Sequence, residues 1–328
     1  MSTAPADVRV AIIGAGFGAR VVAPSFDGAD GCSVVDVVSA RDDDAIRALC
    51  TRADVDVVSV HSPPFLHERH VGYALDAGKP VLCDKPFGRN ADEAARMLDA
   101  AEQAGALHLL NFEFRCQPAR ERLRDVMTSG ELGDIEHVTW LAYSAGSRVP
   151  LRRYGWLFNR ELGGGWIGAW GSHIIDALRW MAGEIEHAVA WSSTKIRERP
   201  DADGQLHTCD AEDSFVAALR LANGVTVGID TTFVAPVGLP SRVVVVGSKG
   251  TAELAGETRL IVRTAEGSRE EPIDASGASD PHIEPMRRWA TVVGNAVRAG
   301  TAPPTAPTFH DGLACARVMD MMRTPGPF

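Results

Sequence analysis

The sequence lacks the features that mark nucleic-acid-binding, membrane and secreted proteins. Its 33 lysines and arginines are outnumbered by 43 aspartates and glutamates, which gives a formal charge of −10. Binding to a phosphate backbone depends on clustered positive charge, so this balance argues against a nucleic-acid partner. No apolar run approaches the ~20 residues of a membrane-spanning helix. The first residues, MSTAPADV, have neither the basic start nor the apolar core of a secretory signal.

Paired cysteines are also missing. The six cysteines lie at positions 32, 50, 83, 116, 209 and 315, and they form no Cys-x-x-Cys motif. In a chain of this length, scattered cysteines indicate buried or unused thiols and favour neither a disulfide framework nor a zinc site. No spacing of histidine, aspartate and glutamate indicates another metal. A reducing cytoplasm is the expected location.

The pattern of elements predicts two α/β domains, for which 328 residues are sufficient. In the first third, strands are predicted at 8–13, 33–39, 55–61, 80–83 and 106–112, with helices between them. This alternation predicts a doubly wound parallel sheet with right-handed crossovers. After residue 118 the strands follow one another, and Asn223-Gly224 predicts a hairpin, so a large, mostly antiparallel open sheet is expected. We predict domains at 1–118 and 119–328, with 265–281 as a loop.

A glycine-rich turn follows the first predicted strand. Gly14-Ala15-Gly16-Phe17-Gly18-Ala19 fits the pattern G-x-G-x-x-[GA], in which glycines permit a tight turn and the close approach of a pyrophosphate at a helix N-terminus. The same residues can form an ordinary surface turn. The position after an apolar strand, at the start of an alternating β/α series, favours nucleotide binding. Gly14, Gly16, Phe17, Gly18 and Ala19 are therefore cofactor-binding candidates.

The end of the second strand bears on the choice between NAD and NADP. An acidic residue there would hold the ribose 2′-hydroxyl of NAD. The sequence instead reads Ser39-Ala40-Arg41, and Arg41 can pair with a 2′-phosphate. Asp42, Asp43 and Asp44 follow directly and can either supply the missing acid or cap the next helix. NADP is modestly favoured over NAD.

A lysine stands at the end of the fourth predicted strand, in Asp84-Lys85-Pro86. Most lysines are solvated surface charges. This one lies where parallel strands deliver side chains to a ligand, so its ammonium can stabilise developing charge on a reacting oxygen. Ser62 and Pro63 end the preceding strand at the same sheet edge and are expected to shape the nicotinamide pocket. His61 and His67 are candidates for the wall of that cleft.

These motifs together resemble the Gfo/Idh/MocA family of NAD(P)-dependent oxidoreductases, the glucose–fructose oxidoreductase and inositol 2-dehydrogenase type. The resemblance is carried by DKP at 84–86, GGGWIGAWGSHIIDALRWM at 163–181, NFEFR at 111–115 and VVVVGSKGTAEL at 243–254, and it covers essentially the whole chain. It implies hydride transfer at a carbinol carbon of a sugar, cyclitol or similar polyol. It also implies a homodimer or homotetramer that forms through the C-terminal sheet.

The resemblance implies an acid/base role for His173, because imidazole titrates near neutral pH and an alcohol must lose a proton when it is oxidised. The alternative is a buried structural histidine. The family's aspartate, four residues before this histidine, is replaced by Ala169, and Asp176 is a possible substitute. Because of Ala169, a nucleotide-binding redox sensor or low-turnover partner protein stays an alternative. Another is an enzyme that keeps its nucleotide bound and moves hydride between two sugars.

Further substrate-binding candidates are basic or aromatic. Arg152, Arg153 and Trp156 lie in a basic, aromatic loop before the His173 helix and can hold an anionic or ring-shaped substrate by pairing and stacking. A solvated loop or a subunit contact is equally compatible with this composition. Arg115, at the domain junction, and Trp170 complete the set of candidates.

Overall fold

Two sheets of different kinds organise the chain in the computed structural model, which describes residues 7–274 and 280–324. The first sheet is parallel, in the order β2-β1-β3-β4-β5. Its strands are β1 (Val8–Ile13), β2 (Cys32–Val38), β3 (Val57–Val60), β4 (Val81–Asp84) and β5 (His108–Asn111). All residues of β3 and β4 are buried, as expected for strands covered on both faces. The predicted doubly wound parallel sheet is confirmed.

Eight α-helices are described. They are α1 (Ala23–Asp27), α2 (Asp43–Cys50), α3 (His67–Asp76), α4 (Ala91–Gln103), α5 (Pro118–Thr128), α6 (Ser172–Ala182), α7 (Ile283–Ala299) and α8 (Phe309–Arg323). Short π-helical segments at Gly18–Val22 and Ile167–Gly171 precede α1 and α6 directly. Within residues 7–274 and 280–324, no helix is long and apolar enough to cross a membrane.

The second sheet has eight strands in the order β15-β14-β13-β12-β6-β11-β10-β7. They are β6 (Ile135–Tyr143), β7 (Ile185–Ser193), β10 (Ser214–Leu221), β11 (Thr226–Thr232), β12 (Arg242–Gly247), β13 (Gly250–Ala255), β14 (Arg259–Thr264) and β15 (Gly267–Pro272). Only the β6–β11 pair is parallel, so the predicted antiparallel character is confirmed. The predicted hairpin at Asn223-Gly224 joins β10 to β11, and Gly224 has a φ of +89°.

Two features of this region differ from the prediction. The segment 265–281 was expected to be a loop, but Gly267–Pro272 pairs with β14 along its whole length. That prediction was wrong because this edge strand carries charged residues and has no apolar face, so its sequence lacks the alternation that indicates a strand. Residues 275–279 of the predicted loop lie outside the described part. A short hairpin, β8 (Glu198–Pro200) with β9 (Leu206–Thr208), was not predicted either.

The chain divides into two compact units that do not follow a single boundary. The first contains residues 1–116 and 277–316, and the second contains residues 117–276 and 317–328. The predicted boundary at 118 lies close to the first division, but the prediction places residues 277–316 in the second domain. They belong to the first unit because α7 buries Met286, Trp289 and Val293 in one core with Val10 and Phe26. The helix pattern alone does not say which core an amphipathic face will join.

Candidate active site

The three glycines of the turn after β1 have different surroundings. Gly14 has a φ of +131°, and a Cβ there would lie 2.5 Å from the carbonyl oxygen of His61. A Cβ at Gly18 would lie 2.9 Å from Cγ2 of Ile12. A Cβ at Gly16 would meet nothing within 4 Å, and Gly16 is exposed. The outer glycines are thus required by packing, while the middle one leaves the backbone open to a ligand, as a pyrophosphate cradle requires.

Phe17 and Ala19 lie where this turn becomes helical. Phe17 precedes the segment Gly18–Val22, and its ring lies 6.1 Å from that of His61 and 5.3 Å from that of His282. Ala19 is exposed and donates its N–H to the carbonyl oxygen of Gly14 at 3.1 Å. The residues predicted to hold a nucleotide therefore form a helix N-terminus, whose first N–H groups can bind anions.

Arg41 lies just beyond β2 and is exposed. Its backbone N–H donates to Oγ of Ser39 at 3.3 Å. Its guanidinium makes no hydrogen bond or ion pair with the residues that the structure describes. Arg41 is thus available to an anionic group at this edge of the sheet.

The three aspartates that follow are used in different ways. Asp42 caps α2 by accepting the N–H of Ala45 at 3.0 Å. Asp43 lies 3.1 Å from a guanidinium nitrogen of Arg69. Asp44 is exposed on the first turn of α2. Of the two roles left open by the sequence, capping is the one that Asp42 performs here.

Lys85 directly follows β4, and the carboxylate of Asp84 holds its backbone. Oδ1 of Asp84 accepts the Lys85 N–H at 2.9 Å and the side-chain amide of Asn111 at 3.1 Å. Oδ2 lies 3.1 Å from Nδ1 of His61. Burial opposes ionisation of Asp84, but the hydrogen bond from His61, its charge and that of Lys85 place the pKa of this carboxyl well below its usual range. A half-buried ammonium therefore stands beside a fixed carboxylate.

Ser62 and Pro63 connect β3 to α3. Oγ of Ser62 lies 2.9 Å from Nδ1 of His70, and its carbonyl oxygen lies 2.7 Å from Nε2 of His67. Burial lowers the pKa of His67, and it lowers the pKa of His70 to about 4. Two buried imidazoles therefore fix the turn of the predicted nicotinamide pocket. Pro63 is half-buried.

In the second unit, a π-helical turn leads into the helix that carries His173. The segment Ile167–Gly171 runs into α6, and π turns occur frequently at functional sites. His173 is 2% exposed, and its ring lies 6.0 Å from that of Trp170 in an edge-to-face arrangement. Asp176 is equally buried, and Ala169 is half-buried.

A buried carboxylate that sequence reasoning missed supports the start of this helix. Glu212 is 4% exposed, and its Oε1 accepts the N–H of Ile167 at 3.2 Å, while its carbonyl oxygen accepts that of Trp166 at 2.7 Å. A negative charge at a helix N-terminus is stabilising. A side chain at Gly165 would occupy the position of the Glu212 carboxylate, which explains the third glycine of the run 163–165.

Stacked rings line the same helix. Trp166 stacks on Phe233 at 4.2 Å and on Trp170 at 5.8 Å. The guanidinium of the buried Arg120 lies between Trp140 and Trp170, 5.2 and 5.8 Å from the two rings. Trp170 is thus held from two sides, and its predicted substrate contact stays a prediction.

The basic, aromatic loop is held by a buried arginine. Arg152 and Arg153 are exposed, and Trp156 is half-buried. Arg199 is wholly buried; it donates to the carbonyl oxygen of Arg152 at 2.9 Å, and its guanidinium lies 4.0 Å from the ring of Phe158. Arg199 thus fixes the backbone of this loop, and the predicted substrate contacts of Arg152, Arg153 and Trp156 stay predictions.

Arg115 has the surroundings of a structural residue. Its side chain is 9% exposed, and a guanidinium nitrogen lies 2.8 Å from Oδ1 of Asp311. It also donates to the carbonyl oxygen of Thr305 at 3.2 Å. A contact with substrate would require this pair to open, and the predicted substrate contact of Arg115 stays a prediction.

Two family models and several known proteins match this sequence. The model of the GFO/IDH/MocA oxidoreductase family with an NAD-binding Rossmann fold matches residues 8–112, and that of the GFO/IDH/MocA C-terminal domain matches residues 121–253. An uncharacterized oxidoreductase of Synechocystis sp. is 32% identical over 271 residues, which cover 76% of this chain and 72% of the relative. Inositol 2-dehydrogenase of Rhizobium meliloti is 26% identical, over 96% of this chain and 88% of the relative.

A solved structure shows the same fold. The structure of levoglucosan dehydrogenase in complex with NADH and levoglucosan superposes with a TM-score of 0.85 at 22% identity, and the match covers 96% of each chain. Both sheets described above therefore have a counterpart in a dehydrogenase that binds NADH.

Proposed function

The chain belongs to the GFO/IDH/MocA family of oxidoreductases, and on that premise we propose that it transfers a hydride between a nicotinamide nucleotide and a carbinol or keto carbon of a sugar, cyclitol or related polyol. The observation that carries this proposal is the pairing of an open glycine cradle at Gly16 with an ammonium, Lys85, at the same edge of one sheet, where they follow β1 and β4 with β3 between these strands. Open α/β sheets bind their ligands at this edge.

Gly14, Gly16 and Gly18 would hold the pyrophosphate, with Phe17 and Ala19 beside it. When bound, the nicotinamide supplies or accepts the hydride. Ser62 and Pro63 would bound its pocket, because their turn is fixed by two buried histidines. Lys85 would hydrogen-bond the substrate oxygen and stabilise the negative charge that develops on it.

His173 would exchange the hydroxyl proton. An alcohol loses a proton as it loses a hydride, and imidazole changes protonation near neutral pH. The departure from the family pattern at Ala169 removes a carboxylate, and Asp176, one turn further along α6, would take over its contact. Trp170, Trp156, Arg152 and Arg153 are the proposed substrate-binding residues of this unit.

The substrate class is inferred from the names of relatives. One acts on inositol by its name, and one structure holds levoglucosan. Both ligands are polyhydroxylated rings, which stack on tryptophan through their C–H faces. The relatives reported above are named as dehydrogenases or oxidoreductases, so they lend no support to a sensor role.

For the nucleotide, binding of NAD(H) is the family property, and a preference for NADP is our proposal. It is supported by the exposed guanidinium of Arg41 and by the engagement of Asp42 as a helix cap. A carboxylate that accepts a backbone N–H is less available to a ribose hydroxyl.

We also propose that the second sheet forms a homodimer or homotetramer interface in the cytoplasm. Val189, Trp191 and Val216 lie on one face of β7 and β10 and are 41%, 55% and 47% exposed. Trp191 and Val216 line a cavity of about 560 Å³ together with Asp230 and Thr232. Exposed apolar patches of this kind mark interaction surfaces. The molar mass in solution tests the proposal, and a monomer would contradict it.

One experiment tests the function directly. The purified chain is mixed with NAD or NADP and a panel of sugars, cyclitols and their keto forms, and the absorbance of the reduced nicotinamide is followed. We expect turnover with at least one polyhydroxylated ring. Tight nucleotide binding without turnover on the whole panel would contradict the proposal. Protein that arrives with nucleotide bound and oxidises one sugar only while it reduces another would instead show the nucleotide-retaining reaction.

A further inference from the structure

His61 lies between the glycine-rich turn and the strand end that carries Lys85. Its backbone N–H donates to the carbonyl oxygen of Ile13 at 2.7 Å. Its own carbonyl oxygen fills the space beside Gly14, and its Cβ lies 3.4 Å from the position of a Cβ at Gly18. The first and third glycines of the turn therefore pack directly on this residue.

The imidazole of His61 reaches the end of β4. Its Nδ1 lies 3.1 Å from Oδ2 of Asp84, and Oδ1 of the same carboxylate accepts the backbone N–H of Lys85 at 2.9 Å. One carboxylate thus joins the histidine to the lysine. The ring of Phe17 approaches from the turn, with 6.1 Å between the ring centroids.

A third contact fixes the plane of the ring. Nε2 of His61 lies 2.7 Å from Oγ of Ser59. Serine, histidine and aspartate are then linked in the order of a nucleophilic triad. Ser59 is wholly buried within β3, however, so no substrate can reach its hydroxyl, and the contacts serve to hold the imidazole.

Both protonation states of His61 keep these contacts. A neutral ring with the proton on Nδ1 donates to Asp84 and accepts from Ser59, and a protonated ring donates to both. The side chain is 0% exposed. The imidazole is therefore a fixed spacer between the nucleotide turn and Asp84.

We propose that His61 is a positioning residue that couples nucleotide affinity to the placement of Lys85. The proposal rests on the role of Lys85 given above. If the ring loses its anchors, the Gly14–Gly18 turn and the Asp84-Lys85 strand end relax together, so nucleotide binding and turnover must weaken in the same variant. A residue that supported only the glycine-rich turn or only Lys85 would change NADH affinity alone or kcat alone.

The test uses two variants. His61→Phe keeps a ring but removes both side-chain hydrogen bonds, and His61→Gln keeps one of these hydrogen bonds. The dissociation constant of NADH is measured by fluorescence, and kcat and KM are measured on the substrate found in the panel. We expect His61→Phe to weaken NADH binding and to lower kcat by roughly 10-fold each, as expected for the loss of a hydrogen bond to a charged group. The substrate KM should change less than kcat, and His61→Gln should recover part of both losses.

A double-mutant cycle with Asp84→Asn shows whether the effect passes through that carboxylate. If it does, the double variant loses little more than either single variant, because the coupling has already been removed. His310→Phe is the matched control: it removes an exposed histidine that lies 3.3 Å from Glu102 in the same unit, and neither constant should change.

Three results overturn the proposal: unchanged NADH affinity in His61→Phe, unchanged kcat, or effects of His61→Phe and Asp84→Asn that simply add. Should His61→Phe not fold, Ser59→Ala removes only the Nε2 contact and must both weaken NADH binding and lower kcat. Failure of the proposed function is distinguishable. Full activity of Lys85→Met would remove the role of Lys85 and leave any effect of His61 on NADH affinity measurable.

Discussion

Nδ1 of His282 lies 2.6 Å from Oε1 of Glu113, whose side chain is wholly buried. The second oxygen of Glu113 has no hydrogen-bond partner among the described residues. The same imidazole lies against the rings of Phe17, at 5.3 Å, and Phe114, at 4.9 Å. His282 thus binds the buried carboxyl group of Glu113 and also packs against Phe17 of the glycine-rich turn.

We expect His282→Ala to destabilise the protein by about 1–3 kcal/mol, the usual cost of leaving a buried polar group without a partner. Urea unfolding measures this loss. The double variant His282→Ala/Glu113→Gln should be more stable than His282→Ala, because an amide is easier to bury than an unpaired carboxylate. Equal stability of the single and double variants would show that Glu113 does not depend on His282.

Arg41→Ala should weaken NADP binding by roughly 10–100-fold, because a charge-assisted hydrogen bond to the 2′-phosphate is lost. NAD has no 2′-phosphate for Arg41 to contact, so the NAD affinity of the variant should stay within about 3-fold of the wild-type value. Titration of both nucleotides against wild type and variant decides. A preference for NAD that survives in Arg41→Ala would assign the ribose to the Asp42–Asp44 run instead.

Lys85→Met should lower kcat by at least about 10²–10³-fold, since one donor at a developing oxyanion contributes that much. Methionine keeps the length and packing of the lysine stem, so the NADH dissociation constant and the thermal stability should hardly change. Steady-state kinetics and fluorescence titration separate these quantities. Near-normal kcat in Lys85→Met would mean that another group polarises the substrate oxygen.

His173→Ala should cost on the order of 10²–10⁴ in rate, the usual contribution of one positioned proton carrier. One limb of the pH–rate profile should disappear with it, which a purely structural loss would not produce. Asp176→Asn is the companion variant and should lower the rate less. If His173→Ala turns over normally, the proton leaves through another group, such as Lys85 or water.

His70 should make the stability of the protein depend on pH. Burial lowers its pKa to about 4, whereas an unfolded histidine titrates near about 6.5. Between these values the unfolded chain binds a proton that the folded chain does not, so the unfolding free energy falls as the pH drops from about 6.5 to 4. His67 acts in the same direction, since its pKa is also lowered.

His70→Gln should therefore reduce the slope of stability against pH in this window without removing it. Urea unfolding of wild type and variant at several pH values between 4 and 7 measures both slopes. Identical slopes would show that the unfolded and folded forms of His70 do not differ in proton binding.

Much of the fold could be predicted from local sequence. The first strand, Val8–Ile13, has the predicted bounds, because a short apolar run that ends in turn residues leaves few other structures. The glycine turn could be recognised because its backbone needs are local: a positive φ at Gly14 and open space at Gly16. Family membership also follows from motifs that lie within single elements.

Only the tertiary structure decided which distant residues meet. Arg115 pairs with Asp311 across 196 positions, and His282 meets Glu113 across 169 positions. The sequence pattern assigned His61 no more than the wall of a cleft, although it links the turn to Asp84. Such contacts depend on how separate elements pack, and α7 joined the first core because its apolar face is buried there with Val10 and Phe26. Periodicity gives the direction of a face within its own helix, but the partner of that face is fixed only when the whole chain packs.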